Sequence, residues 1–341
     1  MKKIIALTQG KNVPSTRFRI FQYADGWRQA GYVFEQLNAK VSAYPPLGLL
    51  KRLFWLIGEL VHRVRQVKVI NSADVVVVQR ELISTLYTVE ACIKSPVVLD
   101  VDDAIFMYRK GKAAKALALQ ASHIVCGNQF LAKYFSQYNK NISVIPTAVD
   151  TNRFKPSVVK PAFLYMGWSG SSSGFDYLYA IESELRKVLD KKTEWKLSIV
   201  SDKRPEFKLL EPEQWTFTQW TPDNEVGTIQ DMSIGLMPLA DNEWTRGKCS
   251  YKMLLYMACG VPVVVSDVGM NSEILSVSKV GLGVNDISDW SALLCQMMED
   301  KLLREQCGQR GRLLAEKEYS LTACNQKWLS VLSKVSNTVK E

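Results

Sequence analysis

Histidine is nearly missing from this chain, with two residues among 341. Seven cysteines are present, an odd number, and no two of them stand in a Cys-x-x-Cys pair. Zinc sites are built from such clusters, so the composition argues against one. The same pattern gives no disulfide framework and fits reduced, structural thiols, as in the cytoplasm. No apolar stretch reaches the ~18 to 20 residues that span a bilayer. Met1-Lys-Lys3 followed by Ile4-Ile-Ala-Leu7 imitates a secretory leader. The apolar run is short, however, and Gln9-Gly-Lys11 follows at once, so it reads as the first strand of the fold. There is no repeat at solenoid spacing, no low-complexity tract and no recognised nucleic-acid motif.

Apolar residues make up 47% of the chain and charged ones 23%, as in a soluble globular protein. A chain of 341 residues is too long for one typical core and points to two domains. The net charge of +9 is unevenly spread: residues 1–160 carry 23 Lys and Arg against 10 Asp and Glu, and residues 161–341 carry 20 against 24. A basic first half is suited to meet an anionic surface or polyanion.

Strand-like runs alternate with helix-like ones, which predicts an α/β architecture. In the first half, strands are expected at 4–8, 75–79, 97–101, 124–126 and 143–145, with helices near 19–30 and 113–121. In the second half, strands are expected at 162–166, 196–200, 215–219, 234–238 and 261–265, and helices at 290–299 and 321–335. Pro156 and Pro161 mark a linker. The resulting division is a first domain over 1–155, a linker over 156–161, a second domain over 162–320, and a terminal helix over 321–341 that packs back on the first domain. The simplest assembly is two doubly wound, Rossmann-like domains facing a central cleft.

Several clusters can carry chemistry. Gly167-Trp-Ser-Gly170-Ser-Ser-Ser-Gly174 follows a strand and precedes a helix. Its spacing is not the G-x-G-x-x-G dinucleotide fingerprint. It reads either as an ordinary tight turn or as a phosphate cradle of backbone N–H groups and hydroxyls that includes Ser169 and Ser171. Arg246, Lys248 and Lys252 crowd the start of a helix that Gly260 ends; they are either a solvated basic loop or a diphosphate clamp. The clamp would stabilise charge on the leaving diphosphate. Val261 to Val265 then runs as a buried parallel strand, and Asp267-Val-Gly269-Met-Asn271 turns the chain at its carboxyl end, where open α/β sheets bind ligands.

Asp100-Val-Asp102-Asp103 is the best carboxylate cluster. It invites a divalent-metal reading, an acceptor-orienting role, or a helix N-cap at Asp103. Arg17, Arg19 and Arg80 fall in loops able to hold an anionic acceptor, or are surface charges. Asn128 is either a polar cleft residue or a helix cap, and Glu273 reads as a cap. Cys249 beside Lys248 is either a low-pKa thiol or a small loop filler. Leu49 to Val69 is a basic amphipathic helix. Leu50, Leu53, Phe54, Ile57, Leu60, Val64 and Val67 repeat at helical spacing, and Lys51, Arg52, Arg63, Arg65 and Lys68 line the other side. Such a helix lies on an anionic leaflet, or else faces a core with a solvated basic back.

Lys252 to Ile274 (KxLxYMACGVPVVxSDVGxNSEI) resembles the donor-binding segment of the family-4 retaining glycosyltransferases. The likeness extends to Pro14–Arg19, which is similar to the first loop of a bacterial envelope-polysaccharide branch. It continues through Val75–Glu81, Val97–Phe106 and Val144–Phe154. The resemblance implies a GT-B fold and a hexosyltransferase-class enzyme. Such an enzyme moves a sugar from a nucleotide-sugar to a lipid-linked surface glycan, with retention, without a metal and with Mg2+ not expected. It implies front-face attack assisted by the departing phosphate, and domain closure that excludes water. Donor contacts are expected from Gly167, Ser169, Gly170, Ser171, Arg246, Lys248, Lys252, Tyr256 and Asn271, and acceptor contacts from Arg17, Arg19, Arg80 and Asn128. Catalytic roles fall to Asp102, Asp103, Arg246 and Lys248, with Asp102 or Asp103 near the place of a family histidine. The expected setting is the cytoplasm, at the inner-membrane surface, with no nucleic-acid partner. The chain departs from the family at two glutamates eight positions apart. Counted back from Met257 to Gly260, these fall on Lys248 and Tyr256, which leaves a non-catalytic scaffold or regulatory subunit as the alternative.

Overall fold

The computed structural model describes residues 1–10, 13–40, 45–158 and 163–337. The expected linker positions 159–161, and the first residue of the strand expected at 162–166, lie outside the described residues. The chain forms two compact units. The first comprises Met1–Ala148, Gly247–Cys249 and Leu321–Glu341; the second comprises Val149–Arg246 and Ser250–Ser320.

The first unit holds a six-stranded parallel sheet of β1 (Lys3–Thr8), β2 (Val33–Asn38), β3 (Val75–Gln79), β4 (Val97–Val101), β5 (His123–Cys126) and β6 (Ile142–Val144). The strand order is β2-β1-β3-β4-β5-β6. Each residue of β3 and β4 is buried, which explains why both open on a continuous apolar run, Val75–Val78 and Val97–Leu99, rather than an alternating one. The strand order reverses between β1 and β3, so the carboxyl ends of those strands flank a natural ligand crevice. The helix Leu321–Asn337 belongs to this unit. Its Trp328 packs edge-on against Trp27 at 5.5 Å, and Cys324 and Leu332 join the same core.

The second unit holds β7 (Leu164–Ser169), β8 (Trp195–Ser201), β9 (Trp215–Gln219), β10 (Ile234–Met237), β11 (Val263–Ser266) and β12 (Gly281–Val284). These strands are also all parallel, in the order β12-β11-β10-β7-β8-β9. Counted from its own first strand this is the Rossmann order, with its switch point between β7 and β10.

The helix Leu49–Ile70 sits on the first unit with its polar side inward. Arg63, Glu59 and Ile70 are buried, whereas Leu50 and Phe54 are each 74% exposed. Arg63 pairs with Glu59 at 2.9 Å and donates to the carbonyl of Thr8 at 2.7 Å. Arg63 is therefore not part of the outer basic line expected from the sequence, and the reading of a core-facing apolar stripe does not hold. No helix among the described residues is long and apolar enough to cross a membrane.

Candidate functional site

At the switch point of the first unit, β3 is followed directly by Arg80. This residue adopts φ +55°, a left-handed conformation uncommon for a side chain other than glycine. The twist carries the guanidinium to two carboxylates at once, Nε to Asp102 and Nη2 to Asp103. Burial raises the Asp102 carboxyl, but Arg80 overcomes it and holds Asp102 below the usual carboxylate range. Burial prevails at Asp103, with the charge of Asp102 adding to it, and keeps Asp103 above that range despite Arg80 and Lys248. One carboxylate of the pair therefore stays ionised while its neighbour takes up a proton more readily, a division suited to orienting a hydroxyl group.

Asp103 caps no helix: the 3-10 turns at Ile105–Gly111 begin after Ala104, which provides no side-chain cap. Asp100, within β4, accepts from Arg19 Nε at 3.2 Å, and Arg19 Nη1 donates to the carbonyl of Ile145 at 2.7 Å. Arg19 is fully buried and lies in the helix Pro14–Arg19, not in an open loop. It fastens that helix to β4 and is out of reach of any acceptor. Arg17 is in the same helix but exposed. The three carboxylates are thus each engaged by arginine. Among the described residues no group of three or more His, Cys, Asp or Glu is arranged to hold a metal ion.

The tripeptide Gly247–Cys249 completes this cluster. Asn128, two residues after β5, accepts from the N–H of Leu131 at 2.9 Å and so caps the helix Gln129–Phe135. Its Nδ2 donates to the carbonyl of Lys248 at 2.9 Å. The Cys249 thiol donates to the carbonyl of Asp102 at 3.2 Å. Glycine is required on both sides of the contact. A Cβ at Gly127 would stand 2.1 Å from Cys249 Sγ, and one at Gly247 would stand 2.8 Å from Ala104 Cβ. Burial pushes the Cys249 thiol up to about 12, so it stays protonated and acts as the loop filler rather than a low-pKa thiol.

In the second unit, β7 runs on through Ser169, so Gly167 lies within the strand instead of the turn. The space left by its missing side chain is taken by Met232, 2.2 Å from where a Cβ would be. The turn proper begins at Gly170. Lys252, near the start of the helix Tyr251–Ala258, lays its side chain against Gly170 and places its ammonium over the Trp168 ring at 5.3 Å. A Cβ at Gly170 would meet Lys252 Cε at 2.2 Å. Tyr256, on the same helix, is wholly buried. Its hydroxyl accepts from the N–H of Ser169 at 2.9 Å and donates to the carbonyl of Leu236 at 3.3 Å, tying β7 to β10 at the switch point. Tyr256 is therefore engaged inside the sheet, where it fixes the end of β7 instead of offering its hydroxyl to the expected donor. Beyond Ser169, Ser172 gives its N–H to Asp202 at 2.6 Å and its hydroxyl to the same carboxylate at 3.0 Å. The N–H and hydroxyl of Ser172 are thus both engaged by Asp202.

Arg246 is exposed and bidentate to Asp241, at 2.6 and 2.8 Å. Gly269, at φ +56°, lets the loop after β11 lie on the Arg246 backbone, where a Cβ would come within 2.8 Å of Arg246 Cα. Asn271 is buried and donates to the carbonyl of Ser266 at 3.0 Å, so its role is to hold that loop. Glu273 lies in the first turn of the helix Met270–Val277.

The expected basic cluster is therefore divided. Lys252 stands with Trp168, Ser169 and Gly170; Arg246 stands with Asp241 and Gly269; Lys248 belongs to the first unit with Asp103 and Asn128. Trp168, Asp202 and Asp241 escape a reading of the sequence. Trp168 is masked by the small residues around it, and Asp202 is signalled only by its position one residue after β8.

Residues 160–300 match the family model described as Glycosyl transferases group 1. No curated protein sequence matches the chain. Among solved structures, the sucrose-phosphate synthase of Thermosynechococcus elongatus aligns at a TM-score of 0.73 and 13% identity, over 99% of this chain and 100% of that one. Anabaena Alr3699/HepE in complex with UDP and glucose aligns at 0.73 and 14% identity, over 98% and 100%. WaaG, a glycosyltransferase involved in lipopolysaccharide biosynthesis, aligns at 0.68 and 12% identity, over 97% and 99%. At such identities the likeness fixes the fold: the chain has the GT-B architecture, built from two Rossmann-like units.

Proposed function

We propose that this chain is a retaining glycosyltransferase of the hexosyltransferase class. It takes a sugar from a nucleotide-sugar and passes it, without a metal, to a lipid-linked surface glycan. It works in the cytoplasm, at an anionic inner-membrane surface contacted by residues 49–69. The observation that carries this reading is the β7 turn at the Rossmann switch point with Lys252 beside Gly170, inside the segment that matches the family model. A diphosphate there would meet the Lys252 ammonium and the hydroxyls of Ser171 and Ser173, which share a hydrogen bond at 2.8 Å. Fixed cations at a departing diphosphate lower the barrier, because the charge they meet grows as the sugar bond breaks. The UDP and glucose of the HepE complex fit the same chemistry. In the first unit, Asp102, Asp103 and Arg80 supply the acceptor-orienting group, and Arg17, exposed on the helix Pro14–Arg19, is open to an anionic acceptor, whereas Asn128 is buried and already engaged. Metal independence is supported by the engagement of all three carboxylates with arginine.

The test is thermal unfolding of the purified protein with UDP-, GDP-, ADP- and TDP-sugars, with and without Mg2+, next to Lys252→Ala and Lys248→Ala. Ligand at about 100 times Kd stabilises by about 2.7 kcal/mol. The reading expects one donor to stabilise without Mg2+ and to fail with Lys252→Ala. If no donor shifts the transition, the chain is instead a non-catalytic member of the fold, acting as a scaffold or regulatory subunit.

A further inference from the structure

We propose that the helix Leu49–Ile70 is turned outward to seat the first unit on an anionic lipid leaflet, its apolar face entering the headgroup layer. The proposal gives the membrane contact of the preceding reading a face and a mechanism, and rests on that reading for its purpose alone.

Leu50, Leu53, Phe54, Ile57, Leu60, Val61 and Val64 recur at three- and four-residue steps and so share one face of the helix. A surface helix normally turns such a face to the core. Here all seven residues are exposed, from Leu60 at 38% to Leu50 and Phe54 at 74%. The rotation is enforced by a polar clasp on the opposite face. Arg63 holds the Thr8 carbonyl at the end of β1 and the Leu37 carbonyl of β2. His62 meets the Asn38 carbonyl at 3.2 Å, and Glu59 accepts from the N–H of Lys40 at 2.8 Å. Each anchor sits on the far side from the apolar stripe, so the helix cannot roll to bury the stripe without leaving a charge unpaired inside.

The charge of the helix selects the occupant. Lys51, Arg52, Arg65 and Lys68 are exposed, and the helix's sole carboxylate, Glu59, is buried against Arg63. The outward surface is thus apolar and cationic, with no exposed acid, on a half of the chain that is itself strongly basic. Apolar insertion plus attraction to acidic headgroups is the two-signal combination that holds a protein to a leaflet. A second copy of the chain fits less well, because a two-fold contact through this face would set like charges against each other.

The experiment is co-sedimentation of the purified full chain with vesicles of phosphatidylcholine alone and of phosphatidylcholine and phosphatidylglycerol in equal parts. We expect at least about tenfold stronger partitioning onto the acidic vesicles. Leu53→Glu with Phe54→Glu should abolish it, and Lys51→Gln with Lys68→Gln should weaken it by about fivefold per cation. The substituted side chains are exposed, so each variant should keep the unfolding transition of the parent. Equal binding to both vesicles, or undiminished binding by the Leu53/Phe54 variant, overturns the proposal. So does a dimer in sedimentation velocity that the same variant dissociates, which would assign the face to a second copy. No sugar transfer is involved in the readout. Intact vesicle binding without donor binding would therefore sink the enzymatic reading and leave this one standing.

Discussion

Asn128 Nδ2 donates to the backbone carbonyl of Lys248 at 2.9 Å, joining residues 120 positions apart in the chain. The same side chain caps the helix that follows it, through Oδ1. One amide thus does two jobs, and two substitutions separate them. Asn128→Ser keeps a capping oxygen and loses the reach to Lys248; the net cost of that bond is about 0.5–1.5 kcal/mol. Asn128→Ala loses the cap as well, adding about 0.5–2 kcal/mol. Urea unfolding of the two variants measures the difference. If alanine costs no more than serine, the cap contributes nothing and the double role is refuted.

Gly170 and Lys252 give a prediction about binding rather than stability. A Cβ at Gly170 meets side chains first, not backbone: it meets the far end of the Lys252 side chain, which can swing away, and comes within 3.0 Å of the Trp168 ring, which must give by a few tenths of an ångström. Gly170→Ala should therefore dislodge the ammonium from Trp168 while costing less than about 1 kcal/mol of stability. Under the proposed function, donor affinity should fall by about tenfold or more, measured by calorimetric titration. Unchanged affinity would remove Lys252 from the donor site.

His123 sets a pH dependence. Burial, with a smaller effect from Lys334, lowers its imidazole from 6.5 to about 4, and its Nε2 meets Ser143 Oγ at 2.9 Å. The folded value lies below the unfolded one, so the unfolded chain takes up a proton here first. Stability attributable to His123 is constant above pH ~6.5. It then declines by about 1.4 kcal/mol per pH unit as the pH falls toward the folded value, a total on the order of 3 kcal/mol. His123→Asn removes the titration, so its stability should fall less steeply than the parent's across that window in urea melts. Parallel curves for the two proteins would mean that His123 is not held neutral by burial.

How far the sequence could be read depended on the kind of signal. Val75–Gln79, Val97–Val101 and Trp215–Gln219 are strands as expected, because β-branched and aromatic residues suit a pleated strand, whether fully buried as in the first two or half-buried as in the third. Val33–Asn38 escaped because it is an edge strand carrying Glu35, Gln36 and Asn38. Gly281–Val284 escaped because two of its four residues are glycines. At the candidate site the missing information is long-range. Nothing local distinguishes Arg19, buried against Asp100, from Arg17, which is exposed, since the partner lies 81 residues on. The assignment of Lys248 to the first unit depends on Gly127 and Asn128, the latter 120 residues back in sequence. The helix Leu49–Ile70 shows its stripe plainly, but periodicity does not say which side faces in. That was decided by Glu59 and Arg63.

The membership of Leu321–Asn337 in the first unit has a bearing on how the chain comes off the ribosome. Trp328 and Leu332 sit at the centre of the first unit's core, yet they are synthesised after the entire second unit. At a few to some twenty residues per second, the second unit has its full sequence while the first still lacks its closing hydrophobic wedge. The usual vectorial order is therefore inverted. The nascent first unit waits with Tyr23 and Trp27 uncovered, and this is the interval in which it most needs a chaperone.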